Sequence, residues 1–239
     1  MHVTRPPSTF VRVSRALLRD RSGVALIEFA FSMPIVLGIG CYGIETANLA
    51  LANLRVSQIA LNLADNASRV GNMQADNTTQ LREVDINDAL TAARMQGEKW
   101  GLTTQGRVTL SSLEEHGGKQ YIHWQRCLGT KSGSSYDSRY GTTKPTDGTA
   151  VGASYAGTEV TGGMGKTGAK VSAPPDSGVM FVEVNYDYSP VIGKMWLAGE
   201  FARLHYIASF VVRDRRAFDQ IYNPAPTATR YTCDRYTSS

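Results

Sequence analysis

VALIEFAFSMPIVLGIGCYGI, residues 24–44, is a run of 21 residues with a single charge, Glu28. At about 1.5 Å per residue a helix of that length covers roughly 30 Å, the thickness of a bilayer's hydrocarbon core. The run predicts a transmembrane helix over 24–45. A cleavable secretory signal has an apolar region of about 7–15 residues and then a small-residue cleavage site. This run is longer and no A-x-A follows at the right distance, so a retained span is expected.

Upstream, residues 1–23 hold Arg5, Arg12, Arg15, Arg19 and Arg21 against Asp20 alone, which accounts for the whole net charge of +4. The rest of the chain has 20 basic and 20 acidic residues. Positive charge confined to a leader before an apolar run belongs to membrane targeting and excludes a nucleic-acid footprint, so no nucleic-acid partner is expected. The next basic residues after the run are Arg55 and Arg69. The positive-inside bias therefore puts the N-terminus in the cytoplasm and the rest outside. With 239 residues, 42% hydrophobic and 19% charged, the chain is neither disordered nor a multi-span membrane protein, and has room for one or two domains.

An acid inside a membrane helix is a functional hypothesis whose partner should be named. Gly23 stands five positions before Glu28, at the border between the basic leader and the apolar run. Cleavage after Gly23 would make Val24 the new N-terminus, with an α-amine of pKa about 7.7–8.0. That ammonium and a Glu28 carboxylate would neutralise each other, within one chain or, better, between a new subunit's amine and a neighbour's carboxylate, which would make assembly charge-selective.

Basic leader, Gly, four apolar residues, Glu, aromatic residue and long apolar helix together resemble a type IV prepilin. The text RSGVALIEFAFSMPIVLGIGCYGIE is most similar to the TadE-like proteins of tight-adherence (Tad) pilus systems. Their segment reads approximately G-x-A-x-[VI]-E-F-A-x-x-x-P with a later Glu. Here those positions are Gly23, Ala25, Ile27, Glu28, Phe29, Ala30, Pro34 and Glu45. The resemblance covers about residues 20–65. It implies a non-enzymatic minor pilin or pseudopilin in the bacterial inner membrane, with a periplasmic head and incorporation into a surface pilus as a further step. The implied partners are the prepilin peptidase, other pilin and pseudopilin subunits, the inner-membrane pilus assembly platform and membrane lipid. Physically, Pro34 removes the partner of the Ala30 carbonyl and predicts a loosened helix there. Gly38, Gly40, Gly43 and Ala47 predict a close-packing surface.

Beyond the membrane, Leu49, Ala52, Val56, Ile59, Leu63, Ala67 and Val70 recur at helical spacing, with Leu51, Leu54 and Leu61 widening the stripe. This predicts that the helix continues through 46–71, to Gly71. A second helix is expected over 81–96. Strands are expected over 107–113, 120–126, 179–188 and 204–213, the first two joined at Gly117-Gly118. The expected head, 72–239, is α+β: a four-stranded antiparallel sheet packed on the outer half of the long helix, pilin-like in form. Between the strand pairs, 129–177 holds ten of 23 glycines and its only aromatics are three tyrosines. It reads as a surface excursion with little core.

Cys127 and Cys233 fall in the extracytoplasmic part and are expected to pair, pinning the C-terminal tail, while Cys41 lies in the span. Gly162 to Gly168 (GGMGKTG) imitates a phosphate loop. That motif requires a glycine where Val160 stands, so it is set aside. The histidines are scattered, and neither catalytic residues, a metal site nor a cofactor is expected. Arg213, Arg215 and Arg216 read as a solvated strand end. The alternative to the pilin reading is a signal-anchored periplasmic ligand-binding or enzymatic protein, which would keep its leader.

Overall fold

The structure, a computed structural model, describes residues 22–149, 157–192 and 203–238, together with Val13, Ser14, Ala16 and Asp20. Most of the basic leader lies outside the described residues. The chain divides into two compact units, Met1–Ala47 and Asn48–Ser239. Helix α1, Ser22–Arg69, is continuous across the boundary and unbroken at Pro34, although that residue offers no N–H.

Within the second unit, α1 buries one face. Val56, Ile59, Ala60, Leu63, Ala64 and Ala67 are each at most 4% exposed. Leu51, Leu54 and Leu61 do not widen this stripe, and remain 46%, 53% and 40% exposed. The reason is angular: at about 100° per residue they point roughly opposite to the buried set. The head meets one side of the helix only.

After α1 come two short paired strands, β1 (Asn72–Met73) and β2 (Thr79–Gln80), then helix α2 (Glu83–Gly97). Asp85 fastens the start of α2, accepting hydrogen bonds from the Arg82 backbone N–H (3.0 Å) and guanidinium (2.7 and 3.0 Å). Ile86, Ala89, Leu90 and Ala93 form its buried face. A 3-10 turn, Glu98–Trp100, and a one-turn helix α3, Leu102–Gln105, lead into the sheet.

The main sheet has five strands, not four: β3 (Gly106–His116), β4 (Lys119–Leu128), β5 (Thr158–Glu159), β8 (Gly178–Asp187) and β9 (Arg203–Val211), in the order β5-β4-β3-β8-β9 and antiparallel throughout. The extra edge strand comes from the glycine-rich excursion. β3 and β4 turn through Gly117 and Gly118, both at positive φ (60° and 80°), as a two-residue hairpin requires. A bulge separates the pairs Ser112↔Trp124 and Leu113↔Ile122, with His123 as the extra residue. It lets Trp124 face the helices while Ile122 faces the opposite layer.

One sheet face packs on α1 and α2 through Val108, Leu110, Met180, Val182 and Val184. The other is covered by the excursion, which is therefore no coreless loop. Val160, Met164 and Ala173 are buried there with Leu113, Ile122, Val179 and Phe181. Sheet side chains hold it in place: Glu183 accepts from the Ser138 hydroxyl and the Arg139 N–H, Asn185 donates to the Tyr136 carbonyl, and Gln125 donates to the Gly141 carbonyl and accepts from the Thr143 N–H. Composition concealed this because the layer is held by polar groups the sheet supplies and needs few apolar residues of its own. The glycines permit close approach: at Gly129 (φ 125°) a Cβ would lie 2.3 Å from the Gly106 carbonyl oxygen.

Candidate functional site

Gly23, Val24 and Glu28 occupy the first two turns of α1, all exposed, with Val24 at 51%. The apolar side chains that follow are exposed around the helix: Leu26 70%, Phe31 74%, Ile35 65% and Ile39 69%. α1 thus carries a segment long and apolar enough to cross a membrane, none of which is buried by the rest of the chain. Exposed apolar surface on this scale marks contact with lipid or with other apolar elements. Ala25, Ile27, Phe29, Ala30 and Pro34 share this surface.

A Cβ added at Gly40 or at Gly43 meets nothing within 4 Å, and Ala47 is exposed. At Gly40, Gly43 and Ala47 the row is open to a second helix, as close helix packing in membranes requires, while Gly38 is half-buried. Cys41, half-buried, is a free thiol. Glu45, four residues after Cys41, is fully buried. Glu28 and Glu45 are seventeen residues apart on one helix, about 25 Å along its axis, so they do not form one site.

No family model, characterised protein or solved structure matches this chain. What it can do must be argued from its own groups.

Cys127 and Cys233 form a disulfide across a sequence separation of 106, with S–S 2.08 Å. The tail around it is also tied by backbone hydrogen bonds, from the Cys127 N–H to the Tyr231 carbonyl and from the Gly129 N–H to the Thr237 carbonyl, both 2.7 Å. The phosphate-loop imitation is a small hairpin, β6 (Met164–Lys166) paired with β7 (Ala169–Val171), without the strand-to-helix geometry a phosphate loop uses. Among the described residues no group of three or more His, Cys, Asp or Glu is placed to hold a metal ion.

Three charged clusters escaped the sequence reading. Arg216 is buried rather than solvated: its guanidinium donates to the carbonyls of Ala67 (3.1 Å), Ser68 (3.1 Å) and Val70 (2.9 Å), at the C-terminal end of α1. Burial pushes its pKa down. Glu83 is fully buried and pairs with Arg126, whose Nε lies at 3.0 Å, with Arg230 at 3.4 Å. At the end of β8, burial works to raise the Asp187 pKa. Hydrogen bonds from the Tyr136 hydroxyl, Arg203 (3.0 Å) and Lys131 (3.2 Å) outweigh it and hold the carboxyl below its ordinary range. The pattern of apolar spacing gives no signal for such groups, since their partners are backbone carbonyls or distant strands.

Among the described residues the head carries two clefts of note. One, about 420 Å³, lies between α1 and the 97–105 segment, with Ala52, Val56 and Ile59 on one wall and Arg55 stacked on Trp100 at 4.1 Å. The other, about 200 Å³, lies beside the disulfide.

Proposed function

We propose that this chain is a non-enzymatic assembly component of a Tad-type pilus, similar to TadE-like minor pilins. In this reading it sits in the inner membrane with its N-terminus cytoplasmic and its head periplasmic. The prepilin peptidase cuts after Gly23, and other pilin subunits, the assembly platform and lipid are its partners. The observation that carries the reading is α1 itself. One unbroken helix exposes apolar side chains on all sides from residue 23 to 37 and builds the head's core with one face of its later part. Leu51, Leu54 and Leu61, left exposed on the far face, extend the packing surface past the membrane. A plain anchor needs neither the open Gly40 and Gly43 surface nor leucines facing outward above the bilayer. A pilin, which packs its helix among others, uses both.

The test is the N-terminus of the protein extracted from membranes. Intact-mass spectrometry should find a chain beginning at Val24, and a Gly23→Leu variant should accumulate as the longer precursor. A wild-type chain that retains residues 1–23 would favour the signal-anchored alternative, for which the cleft of about 420 Å³ is the natural ligand site.

A further inference from the structure

We infer that the larger cleft of the head binds the head group and upper acyl chain of one anionic phospholipid. All of its lining belongs to the unit Asn48–Ser239, with α1 as one wall and the 97–105 segment as another.

Two cations reach the cleft. Arg55, half-buried, lies over the Trp100 ring at 4.1 Å, and Lys99 is exposed on the facing segment. Stacking occupies a face of the guanidinium and leaves its N–H edge for a ligand. Among the described residues neither side chain makes a hydrogen bond or an ion pair, and no carboxylate lines the cleft. Glu98, next to Lys99 in the chain, is exposed and stands outside the lining. Two unpaired cations with no acid among them attract an anion, and a guanidinium matches the paired oxygens of a phosphate group.

The rest of the lining decides which anion. Ala52 is half-buried, Trp100 39% exposed and Val191 74% exposed, so apolar surface is open to a ligand. Inorganic phosphate has no use for such surface, and an apolar partner helix has none for the cations. An amphiphile whose phosphate adjoins a hydrocarbon chain satisfies both. Its source is the bilayer. The α1 wall of the cleft begins at Asn48, four residues past the apolar run that ends at Ile44. From Thr46 to Leu54 the chain holds no charge, so Arg55 is the first cation beyond the span. Basic and aromatic side chains in such a place are the ones that meet lipid head groups. At about 420 Å³ the cleft is near the low end of the roughly 300–1,000 Å³ of small-molecule sites. That suits a head group and the first part of one chain, with the remainder left in lipid. The site requires the membrane placement proposed above and is independent of the pilus.

The experiment is native mass spectrometry of the full chain from micelles of a nonionic polyoxyethylene detergent. Phosphatidylglycerol and phosphatidylcholine with the same acyl chains are added in equal amounts. One phosphatidylglycerol should be retained per chain, in preference to phosphatidylcholine by about tenfold. Arg55→Gln/Lys99→Gln should lose the preference with near-UV circular dichroism unchanged, whereas Arg69→Gln, exposed elsewhere on α1, should keep it. Ala52→Phe, which fills the cleft from α1, should weaken retention with both cations in place. Glycerophosphoglycerol, the same head group without chains, should not displace the lipid. Equal retention of the two lipids, a preference that survives in the double variant, undiminished retention in Ala52→Phe, or displacement by the free head group would each overturn the assignment. Alkaline extraction of cell membranes tests the placement separately: a chain released by it has no span, and a chain that resists it without lipid selectivity has no site.

Discussion

A guanidinium whose side chain is 1% exposed, and which donates to three carbonyls of one helix end and at 3.5 Å to Asp214, acts as that helix's cap. Removing it leaves those carbonyls buried without donors. Arg216→Ala should lower the stability of the head by about 2–3 kcal/mol, read from the midpoint of urea unfolding, whereas Arg213→Ala should change it little. Asp187 is a second residue-scale case, with a sign fixed by its environment. Its carboxyl is held below the ordinary value, so the charge adds stability above an unfolded pKa of about 3.9 and loses that contribution as pH falls through the lower folded value. The stability gap between wild type and Asp187→Asn should be flat from about pH 5 to 7 and close below about pH 4. A gap that widened on acidification would reverse the assignment. Glu28 differs from both, being exposed on α1. If it serves assembly, Glu28→Gln should still be processed at Gly23 yet fail to co-purify with pilin subunits. Normal partners at normal abundance would leave it without that role.

At the scale of the element, α1 sets two leucines two residues apart in opposite surroundings: Leu63 is 1% exposed and Leu61 40%. Leu63→Ala should cost about 2–5 kcal/mol of head stability. Leu61→Ala should fall within about 0.5 kcal/mol of wild type. Near-UV circular dichroism during denaturant titration separates the two. The pilin reading adds that Leu54→Lys, with a stable head, should lose contact with neighbouring subunits, which crosslinking in cells would register.

For the whole molecule, the Cys127–Cys233 bridge joins strand β4 to the tail across 106 residues. A loop of that size is worth up to about 4–5 kcal/mol by chain entropy. Thiol labelling of the denatured, unreduced chain should modify Cys41 alone, and Cys233→Ser should lower the midpoint of unfolding. The long helix, the second helix and the four principal strands were legible because each follows a periodic rule: three-and-four spacing for Leu49 to Val70, alternation with β-branched residues in 179–188. The second sheet layer was not, since Val160, Met164 and Ala173 are scattered among glycines and depend on Glu183, Asn185 and Gln125 from distant strands. Arg216 was misread because a basic residue after a strand carries no local mark of an acceptor nearly 150 positions earlier. At the helix's N-terminal end, the reading of Gly23 and Glu28 rests on spacing, and the fold adds only their exposure.

The cap on α1 has a consequence in time. The carbonyls of Ala67, Ser68 and Val70 are synthesised 146 to 149 residues before the guanidinium that satisfies them. At roughly 5–20 residues per second that is about 7–30 s. Cys127 waits a comparable interval for Cys233, and Ile221, 1% exposed, joins the core long after the buried face of α1 has been made. The apolar segment is made first and is ready for the bilayer while the head remains an open chain. In the reading proposed above, entry into the membrane and closure of the head are thus separate events. A chain broken off before Arg216 has its apolar segment complete and the end of α1 still uncapped.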